Sequence, residues 1–198
     1  MRSIKLLLLT TILATSLQLV SQVNVDDEAR ILRIGKSGNR KWIPILKAAA
    51  KEQSETPTVT AALAKLGDKP AQQKLACEWR TTSSYGLMLE LVNERSAYIG
   101  GQFAVLLWED VLKSSEESFL RFNDPSSGDL IMGHSPYTLA IRHLSKRFPN
   151  GPGAPATSDD SGEYRDQWLT WLNKNRRRIQ ELKPTSQVDF RTLQCSKS

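Results

Sequence analysis

The chain has 198 residues, a formal net charge of +6 and 24% charged residues. This length is enough to bury a real core in one ordinary domain and too short for two once a leader is removed. The charge is mild and dispersed, and the aromatic residues are spaced for packing, so we expect no nucleic-acid partner.

Residues 1–21 have the layout of a secretory signal peptide. Arg2 and Lys5 form a short basic region, the apolar run 6–13 follows it, and small residues beyond the run offer a cleavage site. An uncleaved anchor is the alternative, but the polar residues after position 13 make a poor bilayer span. The sequence therefore predicts cleavage and a mature protein that is periplasmic or secreted, without a membrane span.

Between Ala29 and Trp79 the sequence repeats one pattern of paired helices. The first copy covers residues 29–35 and 42–47, and the second covers residues 61–67 and 71–75. The repeat distance is about 30 residues, and a period of that size built from amphipathic helices is typical of an α-solenoid.

The first half of the chain carries local signals for helix ends. Thr56 and Pro57 provide an N-cap and a proline in the first turn, and Gly67 is placed to end that helix. Asp68 is placed to cap the next helix. Apolar residues at helical spacing then predict the core of each helix in this half: Trp42, Ile45, Leu46, Ala49, Val59, Leu63, Leu66, Ala71, Leu75, Trp79, Met88, Leu91, Val92, Phe103, Leu106, Leu107 and Val111.

The second half predicts two further helices separated by a loop. One opens at Ser135, and a last one covers about residues 162–182, with Asp160 and Glu163 as a capping box and Pro184 beyond its end. No strand pattern competes, so the predicted fold class is all-α. The predicted core positions of these two helices are Tyr137, Ile141, Leu144, Phe148, Tyr164, Trp168, Trp171, Leu172, Ile179 and Leu182.

The turn at residues 66–70, Leu-Gly-Asp-Lys-Pro, resembles the turns of HEAT repeats in the armadillo-type superhelix. The resemblance covers about residues 29–94, and the segments 98–101, 129–133 and 168–171 are similar to poorly characterised exported bacterial proteins with degenerate HEAT-like helices. It implies a scaffold or binding module and supplies no catalytic residues.

These observations divide the chain after the signal peptide into three parts. The resemblance implies a HEAT-like helical array at residues 22–148, the composition of residues 149–161 predicts a Pro/Gly-rich loop, and residues 162–198 form a C-terminal helix and tail. The tryptophan-containing helix is expected to pack across the end of the array.

Two cysteines, Cys77 and Cys195, remain after export. An even number of cysteines in an oxidising compartment favours a disulfide between them, and two separate thiols are the alternative. Such a bond would join the third helix to the C-terminal tail.

The sequence offers few residues with the spacing that catalysis or metal binding requires. The histidines His134 and His143 lie too far apart for two ligands on one helix face, and no cysteine or carboxylate cluster completes a site. We therefore predict no catalytic residues, no metal and no cofactor. The alternative is a small-ligand-binding protein or enzyme whose site is assembled from residues distant in sequence.

Two features are candidates for partner contacts. Trp108 lies beside the main apolar stripe of its helix and is the first choice for an exposed contact, although core packing is the commoner role of such a residue. The triplet Arg176, Arg177 and Arg178 is expected to form a solvated helix face, with an anionic polymer or lipid as the alternative partner. The leading hypothesis is a non-enzymatic, exported interaction module for a protein partner in the cell envelope.

Overall fold

The computed structural model describes residue 24 and residues 27–115, 135–155 and 161–195. Every regular element in these ranges is helical and none is a strand, so the all-α prediction is confirmed. The predicted signal peptide, the Asp160 half of the capping box and His134 lie outside the described residues. In the described ranges no helix has the length and apolar character that a bilayer span requires.

The chain folds as two units, Met1–Ala71 and Gln72–Ser198. In the first unit, α1 covers Glu28–Lys36, α2 covers Trp42–Gln53 and α3 covers Pro57–Lys65. Helix α3 packs against both α1 and α2. The division between the units falls within α4, which covers Lys69–Thr81.

The ends of these helices follow the side-chain chemistry of the sequence. The hydroxyl of Thr56 accepts from the amide of Val59 at 3.3 Å, and the carboxylate of Asp68 accepts from the amide of Ala71 at 3.2 Å. Gly67 has a φ of 85°, which an L-residue adopts only at a cost, and it follows α3 as predicted. The predicted caps of α3 and α4 are therefore confirmed.

The second unit continues with shorter elements and three long helices. Helix α5 covers Tyr85–Leu89, a π-helical turn covers Glu90–Arg95 and α6 covers Ser96–Ile99; they are followed by α7 at Gly101–Lys113, α8 at Pro136–Arg147, α9 at Ser161–Lys174 and α10 at Arg176–Gln180. Helix α7 lies at the centre of this unit because α6, α8, α9 and α10 all pack against it.

Most of the predicted core positions are buried. The indole of Trp79 and the ring of Phe103 are fully buried, as are the side chains of Leu75 and Ile141. Six predicted core residues are only partly buried: Trp42, Ile45, Leu106, Tyr164, Trp171 and Leu182.

The prediction of one last helix over residues 162–182 is wrong, because the helix breaks at Asn175. There the backbone has φ −104° and ψ 21°, and both the main-chain amide and the side-chain amide of Asn175 donate to the carbonyl of Trp171. A side chain that competes for helical carbonyls favours such a break. The break separates α9 from α10, and Ile179 of α10 is buried.

Candidate binding groove

The last described residues, 181–195, form a non-helical C-terminal segment that lies along α4 and α7. The amide of Gln102 donates to the carbonyl of Pro184 at 3.0 Å, and the side-chain oxygen of Gln102 accepts from the amide of Ser186 at 2.8 Å. The side-chain oxygen of Gln72 accepts from the amide of Gln187 at 2.7 Å. Two glutamine side chains thus accept hydrogen bonds from backbone amides of a segment that is neither helix nor strand.

Gly101 allows this segment to approach the start of α7. Its φ is 60°, and a Cβ built on it would collide with the backbone of Pro184 and lie 2.6 Å from the carbonyl carbon of Lys183. Real Cβ atoms do not come this close to backbone, so a larger residue would displace the segment.

Arg80 of α4 holds the far end of the C-terminal segment. Its guanidinium donates to both carboxylate oxygens of Asp110, at 2.9 and 2.6 Å, and to the carbonyls of Phe190 and Leu193, at 2.6 and 2.9 Å. The pKa of Arg80 is raised, mainly by its hydrogen bond to Asp110, and this effect outweighs the lowering of the pKa by burial. The fork geometry of arginine serves a carboxylate and main-chain carbonyls together.

A disulfide joins the same two elements. Cys77 lies one turn before Arg80 on α4 and is bonded to Cys195, with a Cα–Cα distance of 5.4 Å. The bonded residues are 118 positions apart in sequence. The structure therefore brings together the two cysteines that the sequence paired, and the bond closes the C-terminal segment against α4.

A groove of about 720 Å³ lies between α7, the region of α9 and α10, and the C-terminal segment. Each of the three walls contributes a mixture of amide, charged and apolar groups. The residues that line it are Gln102, Leu106, Glu109, Asp110, Lys113, Asn173, Arg176, Ile179, Gln180, Ser186, Gln187, Val188, Asp189, Phe190 and Arg191.

Three of these side chains form an ion cluster, Glu109, Lys113 and Arg176. Lys113 contacts one oxygen of Glu109 at 2.5 Å, and the guanidinium of Arg176 donates to both oxygens. Burial by itself raises the pKa of Glu109. The hydrogen bonds and charges of Arg176 and Lys113 together lower it by more, so the pKa of Glu109 lies below its ordinary value. The carboxylate is therefore ionised, and a cation from α10 is held on α7.

The prediction of an exposed contact at Trp108 is wrong, because this residue is buried. Its indole nitrogen donates to the carbonyl of Val92 at 3.1 Å and to the hydroxyl of Ser96 at 2.8 Å, and its ring stacks on His143 at 5.0 Å. The π-helical turn changes the main-chain hydrogen-bonding register at Val92. The carbonyl of Val92 accepts from the hydroxyl of Ser96 and from the indole of Trp108. Trp108 is thus a packing residue.

The arginine triplet divides into three different environments. Arg176 lies in the ion cluster of the groove, and Arg178 lies 5.6 Å from the ring of Phe148 in a cation–π arrangement. Arg177 is 95% exposed and lies 3.8 Å from Glu181. The expected solvated face describes Arg177 and Arg178, whereas Arg176 faces the groove.

His143 is part of the packing around Trp108. Its Nε2 lies 2.9 Å from the side-chain oxygen of Asn93, and burial followed by the charge of Lys146 lowers its pKa. His134 lies outside the described residues. Among the residues that the structure describes, no group of His, Cys, Asp or Glu side chains is arranged to hold a metal ion.

Most of the groove has no signal in the sequence. Lys113 follows Glu109 by four positions, a local pattern for an ion pair, but nothing local indicates that Arg176 joins them. The partner of Arg80, Asp110, is 30 positions away. These contacts depend on how distant helices pack, so no spacing in the sequence indicates them.

The chain matches no protein-family model, no curated protein and no solved structure. The resemblance to HEAT repeats therefore rests on the sequence pattern.

Proposed function

We propose that the protein is a non-enzymatic, exported interaction module whose groove binds an extended segment of a protein partner in the cell envelope. The observation that carries the proposal is the groove itself, which has a mixed polar lining and one wall made of non-helical backbone. Interfaces for peptides commonly combine such polar groups with apolar contacts.

The disulfide supports the exported location. Bonds such as Cys77–Cys195 persist in oxidising compartments and are rare in the cytosol of ordinary cells. This agrees with the signal-peptide layout of residues 1–21. N-terminal sequencing of the mature protein from its host tests this part: we expect the chain to begin near residue 22, whereas an intact Met1 would contradict cleavage.

The first unit supports a HEAT-like description. Helices α1 and α3 contain the first segments of the two sequence copies, and they pack against each other. Stacking of equivalent helices is the packing that joins neighbouring units of a solenoid. Under this proposal the first unit supplies a HEAT-like helical surface, and the groove belongs to the second unit.

Site-specific photo-crosslinking in the host envelope tests the groove. A photo-reactive amino acid is placed at Gln180 or at Gln187, which line the groove and are exposed, and at Gln73 as a control. Gln73 is exposed on α4 and is not part of the groove lining. We expect both groove positions to label one contiguous stretch of the same partner, with no labelling from Gln73.

Two results would contradict this proposal. One is the absence of an adduct from both groove positions, and the other is equal labelling of the same protein from Gln73. Labelling spread over many unrelated proteins would also count against a specific partner.

The second candidate is a small-ligand-binding protein or enzyme. The volume of the groove, about 720 Å³, favours it because small-molecule pockets commonly measure about 300–1,000 Å³. Native mass spectrometry of protein purified from its host distinguishes the two, since a retained small molecule is expected only for the second candidate.

A further inference from the structure

The ion cluster presents its cations to the groove and hides its anion. The side chain of Glu109 is 5% exposed, whereas Lys113 is 51% exposed and Arg176 is 38% exposed. At this cluster a ligand therefore meets ammonium and guanidinium groups before it meets the carboxylate of Glu109. Because those cations are only partly solvated, their attraction for an anion is stronger than that of fully exposed side chains.

The other carboxylates of the groove are already neutralised. Asp110 accepts two hydrogen bonds from Arg80, and Asp189 lies 3.2 Å from Arg191. The ion cluster, in contrast, has one carboxylate with two cations and so carries an excess of one positive charge. The field of the groove favours an anionic ligand.

Both cations have hydrogen-bond donors beyond those used by Glu109. An ammonium has three N–H donors, and Lys113 gives one to Glu109; a guanidinium has five, and Arg176 gives two. Glu109 also fixes the two cations relative to each other, although they come from different helices. Preorganised donors of this kind lower the cost of binding.

We infer that the groove binds a carboxylate of the partner's extended segment through Lys113 and Arg176. This inference rests on the proposed function and adds the chemistry that the partner must carry. The carboxylate has two possible sources, the C-terminus of a chain or the side chain of an acidic residue. Both offer the acceptor geometry that lysine and arginine recognise.

Titration with short peptides, followed by nuclear magnetic resonance, tests the inference. The probes are N-acetyl-Gly-Ser-Ala-Gly with a free C-terminus, the same peptide as its C-terminal amide, and N-acetyl-Gly-Glu-Ala-Gly amide. We expect the free acid or the glutamate peptide to shift the amide signals of Gln180 and Gln187, and the neutral amide to shift neither. The arm that binds identifies the source of the carboxylate.

Charge-matched variants locate the binding. Lys113→Gln is expected to weaken the carboxylate peptide about five-fold, the scale of one partly exposed ion pair. Arg177→Gln is expected to bind within about two-fold of wild type, because it removes an exposed charge outside the lining. Equal binding of the neutral amide, or an equal loss in Arg177→Gln, would overturn the inference.

Photo-crosslinking from Gln180 separates this inference from the proposed function. If the partner is labelled equally well in wild type and in Lys113→Gln, the interaction module stands and the carboxylate inference is wrong. If wild type labels no partner, the proposed function is wrong, whatever the peptides do.

Discussion

Arg80 and Asp110, from two helices 30 positions apart in sequence, form a two-point hydrogen-bonded pair that also holds the C-terminal segment. The side chain of Arg80 is 27% exposed and that of Asp110 is 15% exposed. Since the same guanidinium donates to two main-chain carbonyls of the segment, one side chain joins α4, α7 and the groove wall.

Replacing Arg80 with methionine is expected to lower the free energy of unfolding by about 3 kcal/mol. The substitution keeps much of the apolar stem but leaves a largely buried carboxylate and two carbonyls without their donor. Urea unfolding followed by tryptophan fluorescence measures the change. The control is Arg191→Met, because Arg191 belongs to the C-terminal segment and is 85% exposed. This variant should change the free energy of unfolding by less than about 0.5 kcal/mol. Similar losses of stability in both variants would show that Arg80 does not hold the C-terminal segment in place.

Removal of the disulfide by Cys77→Ser with Cys195→Ser is expected to destabilise the protein by up to about 4–5 kcal/mol. The bond closes a loop with a sequence separation of 118 residues, and the loss comes mainly from the greater freedom of the unfolded chain. The midpoint of urea unfolding measures it. Reductant should shift the wild-type midpoint and leave that of the double variant unchanged, so a shift in both would assign the effect to something other than this bond.

Alanine at Gly101 is expected to cost about 2–5 kcal/mol, because it combines an unfavourable φ with a collision against Pro184. The comparison is Gly153→Ala, where φ is also positive at 94° but the nearest atom, on Tyr164, lies 3.9 Å away. There only the backbone penalty applies, about 1–2 kcal/mol. Equal midpoints for the two variants in urea unfolding would mean that the C-terminal segment does not press on α7 at this point.

The helix ends of the first unit were predictable because short-range chemistry decides them. Thr56 and Asp68 accept main-chain amides three positions ahead, and Gly67 supplies a positive φ, so a few neighbouring residues contain the whole signal. Buried residues such as Trp79 were predictable for a similar reason, since helical spacing selects one face.

The groove was not predictable because its parts come from distant positions. The sequence pattern predicts one solvated stretch for Arg176 and its two neighbours, yet the helix breaks at Asn175, and Arg176 lines the groove in contact with Glu109. The burial of Trp108 is not predictable from a helical stripe, because the stripe does not show that the Val92 carbonyl and the Ser96 hydroxyl accept from its indole. Long-range hydrogen bonds of this kind have no periodicity in the sequence.

The low pKa of Glu109 predicts that the ion cluster loses its stabilising effect in acid. A carboxyl whose pKa is lower in the folded state than its ordinary value of 4.5 stabilises the protein above that value. The contribution decreases as the pH falls from about 4.5 through the folded pKa, where the native carboxylate is protonated. Glu109→Gln removes this contribution at every pH.

We therefore expect Glu109→Gln to be less stable than wild type by about 1–3 kcal/mol at pH 7, with a smaller difference at pH 3. Urea unfolding of both proteins at pH 7, 5, 4 and 3 measures the difference between them, which removes the contribution of other carboxyl groups. Glu181→Gln is the control, since that side chain is 71% exposed and its contact with Arg177 is long. A difference for Glu109→Gln that stays constant from pH 7 to pH 3 would show that Lys113 and Arg176 do not hold the carboxylate in its ionised form.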